Sequence, residues 1–207
     1  TNVTVNAIPT TPVADSNSSV CVGSALNLTA NTIAGATYSW TGPNAFASTL
    51  EDPSIASVTA AAAGTYNVVA IANGCTSAVG STVVVINTAP AAPLAGSNSP
   101  ICAGTALNLT ATTIPGATYS WTGPNSFAST LEDPTIAAAT VAATGAYNVV
   151  AIANGCTSTV ATTNVTVNAI PTTPVAGSNS PVCVGSALNL TANTIAGATY
   201  SWTGPNA

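Results

Sequence analysis

The chain of 207 residues contains no lysine, no arginine and no histidine, and its charge rests on five acids: Asp15, Glu51, Asp52, Glu132 and Asp133. That absence removes several functions at once. Nucleic-acid backbones are held chiefly by Lys and Arg, and anionic membrane surfaces attract the same residues, so no nucleic-acid partner and no electrostatic membrane contact is expected. General acid–base catalysis draws on His, Lys or an assisted carboxylate, and a nucleophilic Ser or Cys usually needs a basic neighbour. No enzyme, no catalytic residue and no cofactor is therefore expected. An intramolecular Lys–Asn isopeptide staple is excluded for want of lysine. No run of 18 apolar residues exists, so no direct membrane insertion is read, and no signal peptide opens the chain.

What is present is β-forming material. The chain is 47% hydrophobic and rich in Thr, Val, Ala and Ser, a composition that suits pleated strands and is too apolar for a disordered chain. It is also repetitive. The stretch from Gly35 to Asn44, Gly-Ala-Thr-Tyr-Ser-Trp-Thr-Gly-Pro-Asn, returns verbatim from Gly116 to Asn125 and from Gly197 to Asn206, at one constant spacing. Self-similarity at a fixed period, here about 81 residues, is the signature of an array. Thr1 to Ile8 recurs at Thr163 to Ile170, so the chain reads as a window on a longer polymer. The expected division is 1–10 as the last strand of a preceding unit, 11–91 and 92–172 as complete units, and 173–207 as the first strands of a truncated one. Pro12, Pro93 and Pro174 stand in register in short, semi-rigid connectors, which predicts a rod.

Within a unit the alternation Ala25-Leu-Asn-Leu-Thr-Ala30 places Leu26 and Leu28 on one face of a strand. Thr37 to Thr41 reads as the next strand, with Tyr38 and Trp40 on one face, followed by a Gly-Pro-Asn turn. Ala45 to Leu50 reads as an edge strand, Ser54 to Val58 as a strand, and Gly64 to Ile71 as a strong one. Asn73-Gly74 is a hairpin signal, and Cys75 to Ile86 returns as the last strand. The Ala60 to Ala63 run has room for one helical turn before Gly64. The fold class is all-β: tandem sandwiches at that period, each with Trp40, Trp121 or Trp202 and Tyr66 or Tyr147 in its core.

These residues resemble a known family. A Trp on the third strand, then Ala62-x-Gly64-x-Tyr66-x-Val68, is similar to the immunoglobulin-like sandwich, in which that Tyr forms a corner. Val68 and Val149 stand where antibody domains carry the second inter-sheet Cys. Val20-Cys-Val-Gly23, the Tyr-x-Trp, the Gly-x-Tyr and Asn73-Gly-Cys-Thr76 together resemble the tandem Ig-like or PKD-like repeats of very large secreted proteins of Bacteroidota, among them gliding-motility adhesins and type IX secreted surface fibres. The resemblance implies an extracellular, cell-surface location.

The five cysteines form two series, Cys21, Cys102 and Cys183 before the second strand, and Cys75 and Cys156 after the Asn-Gly turn. Their recurrence in an array that resembles secreted proteins favours disulfides over a metal site, since no CxxC pair and no His is present. One pairing staples each unit internally, Cys21 with Cys75 and Cys102 with Cys156. In Ig topology, however, these cysteines lie at opposite poles, separated by a strand length of roughly 20 Å, whereas bridged Cα atoms lie within about 7 Å. That topology favours Cys21 with Cys156 across the junction, with Cys102 joined to a following unit and Cys183 to a residue outside the chain. Both pairings stay open at this level.

Glu51-Asp52 and Glu132-Asp133 are the repeated charges, and calcium needs six to eight oxygens. Two adjacent carboxylates are a thin start for such a site, so a solvated turn is the preferred reading. The pattern Asn-x-Thr at Asn27, Asn108, Asn164 and Asn189 is read as strand alternation in a Thr-rich protein. Tyr38 and Trp40 are read as core rather than as a sugar-stacking platform. The functional expectation is a stalk or filament segment that gives reach and mechanical strength, with neighbouring repeats as partners and lateral filament partners as an addition. The alternative is a multivalent adhesin module that binds glycan or a partner protein.

Overall fold

The computed structural model describes residues 1–205; Asn206, which ends the third Gly-Pro-Asn motif, and Ala207 lie outside the described residues. Ten short strands make up the first complete copy: β1 Ala14–Ser16, β2 Val20–Cys21, β3 Leu26–Ala30, β4 Thr37–Gly42, β5 Phe46–Ser48, β6 Ser54–Ile55, β7 Gly64–Ala72, β8 Cys75–Thr76, β9 Gly80–Val84 and β10 Ile86–Asn87. They form two facing sheets and a separate two-stranded pair. One has the order β1-β3-β6, and the other the order β5-β4-β7, with β8 and β9 both paired to β7. Strand β2 leaves the first sheet and pairs in parallel with β10. This is the strand order of an immunoglobulin-like sandwich, with A, B and E facing C′, C, F and G. The chain repeats it as β11 Ala95–Ser97, β12 Ile101–Cys102, β13 Leu107–Ala111, β14 Thr118–Gly123, β15 Phe127–Ser129, β16 Thr135–Ile136, β17 Gly145–Ala153, β18 Cys156–Thr157, β19 Ala161–Val165 and β20 Val167–Asn168. A further pair, β21 Ala176–Ser178 and β22 Leu190–Ala192, follows.

The alternation in the sequence explains which faces meet. In β3 the pattern buries Leu26, Leu28 and Ala30 and leaves Asn27 and Thr29 in solvent. In β4 and β7 it buries Tyr38, Trp40, Tyr66, Val68 and Ala70. Trp40 and Val68 stand opposite each other across the ladder, so an aliphatic side chain closes the core where a cystine would stand in an antibody domain. Each copy has its own core cluster, centred on Trp40 in the first and Trp121 in the second.

Three elements differ from the sequence expectation. Thr1 to Val13 form no strand, and Val3 and Val5 are 85% and 90% exposed. The matching segment of the next copy lies in β9 and β10, which pair with β7 and β2, and residues 1–8 have no such ladder partners before them in this chain. The expected last strand, Cys75 to Ile86, is broken in three. Ser77 interrupts it: its backbone N–H donates to Ala70 O, its Oγ accepts from Ala70 N at 2.9 Å, and the hydroxyl donates to Ala78 O. A side chain thus substitutes for one ladder bond, and Ser158 repeats the device. Finally, Trp202 is 47% exposed rather than core. Among the described residues no counterparts of β7 and β9 lie over it. The Ala60 to Ala63 run is the single 3-10 turn Ala60–Ala62.

Candidate functional site

The candidate site is the joint between copies. At the far end of each sandwich the hairpin turn Asn154-Gly155 projects between β17 and β18, with both residues in the left-handed region at φ 50° and 77°. That conformation is easy for Gly and tolerable for Asn, which accounts for the dipeptide. At the opposite end of the preceding sandwich, β2 and β10 lie side by side with Cys21 in register with Asn87. The turn of the second copy seats against this pair. Asn87 Nδ2 donates to Asn154 O at 3.0 Å, and Cys21 and Cys156 form a disulfide with Cα atoms 5.8 Å apart. Cys21 Sγ lies 3.7 Å from Gly155 O, a packing contact, because a disulfide sulfur carries no hydrogen. Cys156 is buried.

Of the two cysteine pairings that the sequence leaves open, the structure brings Cys21 to Cys156, across the joint. It does not bring Cys21 to Cys75 or Cys102 to Cys156, and Cys75, Cys102 and Cys183 are unpaired. The geometric cause is the length of β7 and β17. Each runs from the tyrosine corner at one pole to the Asn-Gly turn at the other over nine residues, about 30 Å at a strand's rise, which no disulfide can bridge.

Asn87 was not singled out by sequence reasoning, although a signal exists. Asn6, Asn87 and Asn168 recur at the repeat period. Asn6 plays the same part at the first copy, where its Nδ2 donates to Asn73 O at 2.9 Å and the Cys75 thiol lies 3.7 Å from Asn6 O. The amino-terminal segment, though not a strand, therefore sits on the turn of the first copy as Asn87 sits on the turn of the second. Asn17, Asn98 and Asn179 were also missed. Each brackets the start of β3, β13 or β22, as Asn17 does by accepting from Asn27 N and donating to Ala25 O.

The other candidate residues are occupied structurally. Asp52 Oδ1 accepts from Ala30 N at 3.0 Å and Asp133 Oδ1 from Ala111 N at 2.9 Å, capping the ends of β3 and β13. Glu51 and Glu132 accept from the hydroxyls of Thr32 and Thr113. Among the described residues no group of three or more His, Cys, Asp or Glu side chains is placed to hold a metal ion. Trp40 and Trp121 are fully buried and donate from Nε1 to Glu51 O and Glu132 O at 3.1 Å. Tyr38 bridges the turn before its own strand, accepting from Ile33 N and donating to Asn31 O.

Tyr66 and Tyr147 form the corners, each donating to the carbonyl four residues upstream, Ala62 O and Ala143 O, at 3.0 Å. Their rings lie against Gly42 and Gly123, where an added Cβ would stand 2.4 Å and 2.5 Å from a ring carbon. This contact explains why Gly opens the Gly-Pro-Asn turn in both copies. Tyr147→Phe leaves Ala143 O without its donor, and a loss of about 1–2 kcal/mol is expected in urea unfolding. Burial also raises both phenol pKa values above the ordinary tyrosine range. Since the unfolded chain then ionises first, stability is complete below about pH 10 and falls as pH rises from there through the folded value. Thermal midpoints should be level in this respect from pH 7 to 9 and drop above pH 10, less so in Tyr66→Phe.

No family model and no curated protein matches the chain. Among solved structures it is similar to a chain of the mouse coronavirus receptor-binding domain complexed with its murine receptor, at 10% identity and a TM-score of 0.49, covering 77% of this chain and 100% of that one. It is similar to murine CEACAM1b at 12% identity and a TM-score of 0.45, with the same coverage. It is also similar to the three N-terminal domains of the highly immunogenic outer capsid protein Hoc of bacteriophage RB49, at 21% identity and a TM-score of 0.39, covering 91% of this chain and 70% of that one.

Proposed function

We propose that the chain is a stalk or filament segment of a very large secreted cell-surface protein, in which repeated sandwiches set reach and carry tension. The single observation behind this reading is the joint. A disulfide and an Asn–turn hydrogen bond fix successive copies head to tail, and a second Asn–turn contact stands at the amino-terminal end. A spacer needs length and stiffness at its joints, and repeated copies that share one joint supply both. The disulfide supports an oxidising, extracellular location, and the want of Lys and Arg leaves no site for trypsin-like proteases. Of the partners, the preceding and following repeats of the same chain are the ones this joint serves. The resemblance to surface fibres of Bacteroidota points the same way.

The test is reach against copy number. Arrays of two, four and eight copies displayed on a bacterial surface should appear in electron micrographs as fibres whose length grows in proportion. Collapsed coils of constant size would refute the stalk.

One observation favours the second reading, a multivalent binding module. A groove lined by Pro43, Phe46, Ile55, Val58 and Tyr66 recurs in the second copy along Pro124, Phe127, Ile136 and Tyr147. Repetition of a weak site multiplies its affinity through effective concentration. This reading predicts glycan or protein binding that rises steeply with copy number and is lost in Phe46→Ser together with Phe127→Ser. Binding unaffected by that pair would exclude the groove.

A further inference from the structure

The joint fixes more than orientation. Cys21 and Cys156 are separated by 135 residues, and that loop encloses most of the first copy and of the second. Tension applied at the two ends of the chain therefore bypasses every residue between these cysteines, and acts on the sandwiches only through the strands outside the loop, β1 on β3 and β19 on β17. It runs from the amino terminus to Cys21, crosses the disulfide, and continues from Cys156 onward. At about 3.3–3.6 Å per extended residue, the bypassed loop holds roughly 450–490 Å of chain that no pulling can release while the bond is intact.

We infer that the array is an extension limiter, a tether in which interleaved disulfides shunt most of each sandwich out of the line of force. The inference rests on the stalk reading for its setting and on the cysteine spacing for its content. The stretch from Cys75 to Cys102 equals in length the stretch from Cys156 to Cys183. When the bond seen at Cys21–Cys156 recurs at each joint, Cys102 and Cys183 each pair with the turn cysteine of the following copy. Each such bond joins two thiols, which lose two electrons and two protons to a disulfide oxidant or dioxygen of the exterior. The array then contains two parallel covalent lines, one through odd joints and one through even joints. Each line advances two copies for every such stretch of backbone, which comprises the last strand, the connector and the first strand. The intervening segment from Cys102 to Cys156, which includes β13, β14 and β17, is a cross-rung between the two lines and bears no end-to-end load.

The magnitudes separate this device from an ordinary string of domains. Two folded copies span roughly 60 Å along their longest strands. Fully drawn out, a stretch of roughly 27 residues reaches about 90–97 Å, whereas two copies free to unfold reach about 530–580 Å. The limiter stretches about 1.5-fold and the unlinked array about ninefold.

The test is single-molecule pulling on the whole chain, with handles at its two ends, before and after reductant. Oxidised molecules should reach their full contour with no unfolding step of sandwich size. After reduction two such steps should appear, and the contour should lengthen by roughly 450–490 Å. C21S should behave without reductant as the reduced wild type does, and so provides a second route should reduction be incomplete. Sandwich-sized steps in oxidised molecules, or a gain matching a bond within one copy, would overturn the limiter. The stalk reading fails separately, through the copy-number micrographs, because pulling on purified chain does not depend on where the protein resides.

Discussion

Trp121→Ala should strip the second sandwich of much of its stability at room temperature. The side chain has no solvent exposure, faces Val149 across the ladder and hydrogen-bonds Glu132 O. Large-to-small changes of a buried Trp cost about 3–5 kcal/mol, and the stranded Glu132 carbonyl adds about 1 kcal/mol or more. A single copy has about 4–12 kcal/mol to lose, at typical stability per residue. Amide hydrogen exchange is the suitable probe, because it reports each copy separately. The amides of β14 and β17 should lose protection while those of β4 and β7 keep most of theirs. Trp202→Ala is the control: half-exposed in this chain, that side chain should cost little. Retained protection in β17 of the Trp121 variant would show that the ring is not what holds the core.

The second large effect concerns the joint. Cys156→Ser removes the closure of a 135-residue loop, for which the chain-entropy model gives about 5 kcal/mol, and natural disulfides usually deliver about 2–5 kcal/mol. The oxidised chain should unfold in denaturant at a higher midpoint and with the two copies coupled, since neither can gain its full chain freedom alone. The serine variant should show two separable transitions at lower midpoints. Asn87→Ala should reproduce a smaller part of this, about 0.5–1.5 kcal/mol for the lost hydrogen bond to Asn154 O. Identical midpoints for the oxidised wild type and Cys156→Ser would mean that the unfolded ensemble is already constrained by other means.

Much of this architecture is legible in the residues because the signals are periodic. Leu26 and Leu28 alternate with polar neighbours, Tyr38 and Trp40 do the same, and both pairs are buried on one face. The tyrosine corner follows from Tyr66 placed shortly after a Gly that ends a small-residue turn. The interrupted last strand was not legible. Ser77 substitutes its hydroxyl for a backbone partner, and that exchange leaves no mark on an alternation of Thr, Ser and Val. The amide brackets of Asn17 and Asn98 escaped for the same reason, since Asn in a turn announces the turn and not the strand it clamps. Trp202 fails differently. Its sequence surroundings equal those of Trp40, but burial is made by strands far along the chain, as β7 buries Trp40, and no such strand follows β22 among the described residues. The joint sits between these cases. The cysteine spacing limited it to two pairings, and the separation of the poles along β7 decides between them.

The turn at one pole and the parallel pair at the other have a genetic consequence. Each of the two complete copies carries both halves of the same contact, as the first does with Cys21 and Asn87 at one end and Asn73 and Cys75 at the other. Gain or loss of one repeat's worth of codons by recombination between copies therefore reconstitutes a sound junction wherever the exchange falls in register. Length can drift without any new surface having to evolve. The constraint is felt instead by point mutation: a change in either half is tested against an unaltered neighbour and is tolerated only if the old partner still fits. The two complete copies differ at many positions, among them Ser19 and Pro100, Asn31 and Thr112, and Ala45 and Ser126, yet keep the same Cys, Asn and Asn-Gly at the joint.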